Sequence, residues 1–525
     1  MKYIAITIGP VVETILSVNS PAALWCASGI FSHISKEICK KIFTSYKGKV
    51  SIITPYYDGH EYNDGIGRYP DRIFLSVEDC FVEEFNEEAL SSIFEDIISN
   101  LSKEIEKATR GKNVEEFLSK YIQINYIFFN KKNDNENIIL EYSHYLDNLE
   151  LAIGFPKNAN NNPLNKLFNG YEDAKNSYIK KFFLMKEAAT CQLLGKESKI
   201  KQLEDISNNG IEGSGFKKHN YFAVVQADGD NMTQILKGLN DDKSINEFSE
   251  KCIKYASDSA EEIGKYGGVT IYAGGDDLLF LAPVENAPVE SKDKGNIFSL
   301  CETISSKFNG IFEEEIKKAE EAKKNDETIK VPSVSFGVSV NYERFPLYEA
   351  LSDASDLLFN KAKKHAGKNA ISFNLHKNSI GKFGFTSTND IEILNIFTNL
   401  IEKKILIKED NENDKSSKDI SDQVINSVIY SIETFRKIYS AALKEKCNME
   451  EMFENMYDGP EHDLSRNYIS TIRELLDKIY TNNKNEISSN NPKNDKKSKE
   501  EKAIDILLIL LRIIKFFNEK EGDRE

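Results

Sequence analysis

The sequence predicts an α+β protein: two strand-and-helix units followed by a helical C-terminal part. Three observations carry this. Short apolar runs alternate with amphipathic helical stretches through the first 150 or so residues. A second set, from Tyr221 to about residue 376, follows the β-α-β-β-α-β order of the ferredoxin-like arrangement. Beyond about residue 382 the periodicity is helical, broken by two polar tracts. A chain of 525 residues suggests three or four domains.

Taken in order, "KYIAITIG" is an apolar run ended by Gly9-Pro10, a strand and a turn. "SPAALWCASGIFSHISKEICKKIF" follows, with Ser20 as cap and Pro21 at the first helical position. "VSIITP" and "RIFLSV" read as strands, "EEALSSIFEDIISNLSKEIEKA" as a helix and "IQINYIFFN" as a strand. The Asn-rich 155–170 reads as a boundary and 171–215 as a small polar insert. "YFAVVQADGDN" then opens the second unit, and "GVTIYAGGDDLLFLAPV" forms strand, tight turn and strand. The strand "VPSVSFGVSVNY", a helix and the strand "NAISFNL" close it. The expected domains are therefore 1–160, 161–215, 216–381 and 382–525.

The net charge of −16, from 68 basic and 84 acidic residues, argues against a surface that binds nucleic acid everywhere. It leaves room for a local basic groove or a basic partner. Seven scattered cysteines without a C-x-x-C pair fit reduced thiols and a cytoplasmic location. The apolar stretch 504–517 is interrupted by Asp505, Arg512 and Lys515, which fits a buried helix better than a membrane span.

The stretch "YAGGDD" places Asp276 and Asp277 inside an otherwise apolar strand pair. Gly274 and Gly275 allow a sharp turn and close approach of a ligand. Two adjacent carboxylates there repel each other and resist desolvation, and a divalent cation relieves both. Alone, this is also what an exposed hairpin turn looks like. Asp228 and Asp230 end another apolar strand, and the strand order puts Asp228 beside the hairpin. Three carboxylates at neighbouring strand ends suit a two-metal displacement at phosphorus. Gly229 and the N–H groups after it are candidate phosphate contacts at a helix start. Lys361, Lys363, Lys364 and Lys368 form a cationic cluster suited to triphosphate oxygens, though a helix end also favours lysine.

On "DGDN" (228–231), "YAGGDDLL" (272–279) and "AKKHAGKNAISF" (362–373), the chain resembles the large, palm-containing subunit of type III CRISPR effector complexes, in its Cmr-type branch. "IGPVVETI", "LWCASGIFSHI" and "GIGRYPDRIFL" are similar to that family's first palm. The resemblance implies two ferredoxin-like palm domains, an insert between them, a C-terminal helical bundle and synthesis of an adenylate second messenger from ATP, gated by guide RNA paired with target RNA. It assigns Mg²⁺ (or Mn²⁺) to Asp228, Asp276 and Asp277, nucleotide contacts to Gly229, Asn231, Gly274, Gly275, Lys363 and Lys368, and a structural role to the first domain.

Two departures from the family stand out. The chain starts in a palm strand, so no His-Asp nuclease is expected, and His462-Asp463 reads as a surface helix cap. In "TCQLLGKES", Cys191 remains but Leu194 replaces its partner, so a degenerate, zinc-free insert is expected, with His219 at most a stray ligand. Cyclic oligoadenylate is the expected product. The alternatives are AMP joined to S-adenosylmethionine, a diguanylate-cyclase chemistry disfavoured by Leu278-Leu279 after the turn, and an ATP-binding scaffold without turnover. The expected partners are the other subunits of the complex, with RNA met mainly through them and no membrane.

Overall fold

The computed structural model describes residues 2–60, 67–131, 137–152, 162–173, 176–184, 203–207, 220–286, 295–365, 367–377, 381–389, 391–402, 416–445, 449–457, 466–482, 486–490 and 497–518. Cys191, Leu194, His219 and His462-Asp463 lie outside these, so the expectations built on them stand only as sequence readings.

The first unit has strands β1 (Lys2–Gly9), β2 (Val50–Thr54), β3 (Arg72–Val77) and β4 (Gln123–Asn130), in the order β2-β3-β1-β4. Helices α1 (Pro21–Ser45) and α2 (Glu87–Thr109) supply the two crossovers. Ser20 caps α1 by accepting from Ala23 N–H, and Pro21 occupies its first turn, as the sequence implies. Asn86 caps α2 in the same way, through Ala89 N–H. Ile4, Ile6 and Ile8, alternate residues of β1, pack with Leu24, Ile34 and Leu101 from the two helices.

The second unit has β5 (Tyr221–Asp230), β6 (Val269–Gly274), β7 (Asp277–Pro283), β8 (Ser333–Tyr342), β9 (Ala370–Lys377) and β10 (Gly381–Thr388). Its helices are α3 (Met232–Leu236), α4 (Asp242–Tyr266), α5 (Ile297–Ile311) and α6 (Leu347–Asp356). The four strands β8-β5-β7-β6 repeat the ferredoxin-like order of the first sheet, with β9 and β10 added beyond β8.

Then come helices α7 (Glu392–Ile401), α8 (Ser416–Thr434), α9 (Arg436–Lys444), α10 (Met449–Met456) and α11 (Arg466–Thr481). Strand β11 (Ile487–Ser489) and α12 (Lys499–Asn518) complete the described chain. Helix α12 is largely buried from Ala503 to Phe517, and among the described residues no helix is long and apolar enough to cross a membrane.

Two boundaries differ from the sequence reading. The sheet continues past residue 381: β10 pairs with β9, and β11, from the helical part, pairs with β10. Gly381, Lys382, Gly384 and a run of Ser and Thr hide this strand's pattern, while Phe385 is fully buried. Residues Pro163–Asn169, read as part of a polar boundary, form a short helix capped by Asn162. Its Leu164, Leu167 and Phe168 join the core of the first unit.

Candidate active site

The apolar run Phe222–Val225 is paired on both sides, with β8 and β7, which fixes where β5 must end. Pairing with β7 stops at Ala227–Leu278, so the next residues, Asp228 and Asp277, meet at the end of the ladder. In β6–β7 the last pair is Gly274–Asp277, leaving Gly275-Asp276 as a two-residue turn. Gly275 has φ +68°, the left-handed region that favours glycine, and a Cβ there would meet nothing within 4 Å. The space over the turn is open.

Gly229 has a different reason to be glycine. A Cβ on it would lie 2.8 Å from Met232 Cγ and 2.9 Å from Asp276 Cβ, and closer still to Asp276 Oδ2. The missing side chain is what lets the acidic turn lie against the acidic strand end.

Charge at this junction is poorly compensated. Burial and the Asp228 carboxylate push Asp276 up to about 6, with Lys363 acting against them. Burial, then Asp276 and Asp228, hold Asp277 well above the usual carboxylate range, and it shares a hydrogen bond with Asp228. Burial raises the phenol of Tyr272 too, and Asp277 and Asp228 add to the effect. Among the described residues no three or more His, Cys, Asp or Glu side chains form a group that could hold a metal ion as they stand. The donor set nonetheless fits a hard divalent cation: three carboxylate side chains meet, two of them held from full ionisation by burial and each other.

Lys363 reaches the site from an irregular segment. Helix α6 runs into a wider π turn, Leu357–Lys361, and then a 3₁₀ turn, Ala362–Lys364. Gly337 on β8 allows this turn to lie on the sheet: a Cβ there would be 2.6 Å from Leu358 N and would collide with Ala354 O. Lys363 Nζ then pairs with Asp228 Oδ2 at 3.0 Å and Asp230 Oδ1 at 2.9 Å.

The structure thus gathers Asp228, Gly229, Gly274, Gly275, Asp276, Asp277 and Lys363. Of the remaining expected contacts, the side chain of Asn231 is engaged elsewhere and Lys368 is described through its backbone. Asn231, at φ +60°, donates its side-chain N–H to Val331 O, and the helix it opens has five residues, too short for an anion site. Lys368 sits in a left-handed turn (φ +58°) with its backbone N–H on His365 O.

Sequence reasoning missed the supports. Asp230 is fully buried and accepts from Ser333 Oγ, Ser335 Oγ and Asn369 N–H. Its place two residues after Asp228 on a strand puts both on one face, a signal the sequence did carry. The first unit also touches the hairpin: Ala273 N–H donates to Gly67 O at 3.1 Å, and Arg68 Nε donates to Ser257 Oγ on α4 at 2.9 Å.

A tight acidic hairpin against an acidic strand end, on a ferredoxin-like sheet, defines a palm domain. Residues 221–372 match the family model described as Cas10/Cmr2, second palm domain. The chain is 25% identical over 309 residues to the CRISPR system Cmr subunit Cmr2 of Pyrococcus furiosus, a match that spans 54% of this chain and 30% of that protein. It also overlaps a crystal structure of a Csm1-Csm4 cassette in complex with cA4, at 12% identity and a TM-score of 0.49, over 99% of this chain and 70% of that one. A crystal structure of Csm1 from T. onnurineus overlaps 70% of this chain and 52% of its own at 13% identity, with a TM-score of 0.38. Residues 221–372 are thus similar to the second palm of the Cas10/Cmr2 family, and the chain spans less than a third of the length of the curated relative it matches.

Proposed function

We propose that this protein is a metal-dependent nucleotidyltransferase in a type III CRISPR complex, making cyclic oligoadenylate from ATP when guide RNA pairs with target RNA. The observation that supports this reading best is the junction at Gly229, where a glycine's clearance brings Asp276 and Asp277 onto Asp228. A turn with only a structural role has no need to crowd three acids together.

Asp228, Asp276 and Asp277 would hold Mg²⁺ or Mn²⁺. When bound, the ions supply an activated ribose hydroxyl and charge neutralisation at phosphorus and the leaving pyrophosphate. The other tasks fall to the chain. Asp276, raised to about 6, and Asp277, held well above the usual carboxylate range, would give up their protons as the site loads. Gly275 leaves the space over the turn for the nucleotide. Asp230 and its hydroxyl donors fix the strand end, so the carboxylates are aimed before substrate arrives. The first palm, through Gly67, holds the outer edge of the hairpin.

The test is product identity. The assembled complex receives ATP, Mg²⁺ and matching RNA, with and without S-adenosylmethionine, and the product is weighed by mass spectrometry. Cyclic oligoadenylate is expected in both arms. A preference for GTP, or no product from the wild type, would sink the reading. A product containing S-adenosylmethionine would keep the site and change the acceptor.

A further inference from the structure

Lys363 belongs to a cationic cluster that, in sequence, suits a triphosphate. Its surroundings point elsewhere. Its ammonium has three protons and already faces four oxygens: Asp228 Oδ2 at 3.0 Å, Asp230 Oδ1 at 2.9 Å, Asp228 O at 2.9 Å and Gly229 O at 2.7 Å. The side chain is only 12% exposed. Two protons are hydrogen-bonded to the Asp228 and Gly229 carbonyls and the third lies between the two carboxylates, so a phosphate oxygen would have to compete with both of them.

Release is opposed by Asp230, which is fully buried. Its other partners, Ser333, Ser335 and the Asn369 N–H, are neutral. Withdrawing Lys363 would leave that carboxylate buried without the cation it pairs with, a strongly unfavourable state. The π turn and Gly337 press the lysine's own segment onto the sheet, so the ammonium is delivered to the strand end rather than to the open space over Gly275.

We propose that Lys363 is a positioning residue. Its ammonium is the internal cation that fixes the backbone and one carboxylate oxygen of Asp228, leaving the other oxygen for a divalent ion; it is not the counter-ion of the nucleotide's triphosphate. The purpose of this arrangement rests on the nucleotidyltransferase reading, but the role itself is measurable without turnover.

The full chain is titrated with Mn²⁺ alone, followed by electron paramagnetic resonance. A non-hydrolysable ATP analogue is then titrated calorimetrically at saturating Mn²⁺. Lys363→Met is expected to weaken Mn²⁺ binding by about 10-fold or more, as loss of a ligand's supporting partner does, with analogue affinity changed by less than about threefold. Unchanged Mn²⁺ affinity with analogue affinity down about 10-fold would overturn the proposal and return Lys363 to the triphosphate. If Lys363→Met fails to fold, the double variant with Asp230→Asn removes the stranded charge. It is expected to fold and still bind Mn²⁺ weakly, and wild-type Mn²⁺ affinity there would also overturn the proposal. A wild type that binds Mn²⁺ yet makes no product defeats the nucleotidyltransferase reading and leaves the positioning role standing; one that binds no Mn²⁺ defeats both.

Discussion

In the first palm the leading strand ends Ile6-Thr7-Ile8-Gly9; in the second its counterpart ends Ala227-Asp228-Gly229-Asp230. Both strands sit at the same place in the same order, β2-β3-β1-β4 and β6-β7-β5-β8. The hairpins beside them diverge as well. In the second palm two residues, Gly275 and Asp276, make the turn. In the first, residues 55–71 separate β2 from β3, and Gly67 and Arg68 from that connection reach across to β6 and α4 of the other palm. The same scaffold has thus been given a tight acidic tip in one copy and a long connection in the other. The arm of the first braces the tip of the second, which gives physical content to the structural role expected of the palm that lacks the acidic hairpin.

The comparison can be broken most forcefully at the tip. Replacing Asp276 and Asp277 by alanine is expected to lower product formation by at least about 100-fold, the scale of losing preorganised charge stabilisation, while complex assembly, followed by size exclusion, stays intact. Next comes the glycine pair. Gly229→Ala drives a methyl into Asp276 and is expected to cost about 10- to 100-fold in turnover, as a displacement near 1 Å does. Gly9→Ala, where a Cβ meets nothing within 4 Å, is expected to change turnover by less than about twofold. Equal effects from the two would mean that the strand ends are not functionally distinct.

A third measurement uses pH. Asp276 is raised in the folded protein to about 6, so its charged form is disfavoured there. Below about pH 4 it is neutral folded and unfolded alike, and no penalty exists. Between about pH 4 and 6 the unfolded chain ionises first, and metal-free stability falls as pH rises through this window. Thermal melts without metal should fall by a few degrees from pH 4.5 to 7, relative to Asp276→Asn, and Mg²⁺ should restore the loss at pH 7. The smallest effect is expected at the brace. Ser257→Ala removes one hydrogen bond of Arg68, about 1 kcal/mol of stability, and should lower turnover by less than about threefold. A larger loss than that of Gly229→Ala would make the brace, rather than the tip, the feature that sets the rate.

Much of this was legible in the residues. Apolar runs such as Ile4–Ile8 and Phe222–Val225 announce strands because one or both faces must be buried. The paired acids stand out because they interrupt such a run. What the sequence could not carry was destination. Lys363 reads as a helix-end lysine until the π turn and Gly337 bring it onto Asp228. Gly229 reads as part of a phosphate loop, whereas its clearance serves Asp276, 47 residues away. Strand β10 is too rich in Gly, Ser and Thr to signal burial, and β11 acquires its identity only by pairing with it.

That last pairing has a consequence for biosynthesis. The outer rim of the second palm's sheet is sealed by Ile487–Ser489, roughly 100 residues downstream of the strand it covers, and Asn490 then locks in with side-chain hydrogen bonds to Phe373 O and Phe385 O. While those residues are still inside the ribosome, β10 offers an unpaired ladder to any neighbouring nascent chain. A messenger stalled before codon 487 would release a polypeptide with Asp228, Asp276 and Asp277 all translated and its sheet still open to mispairing.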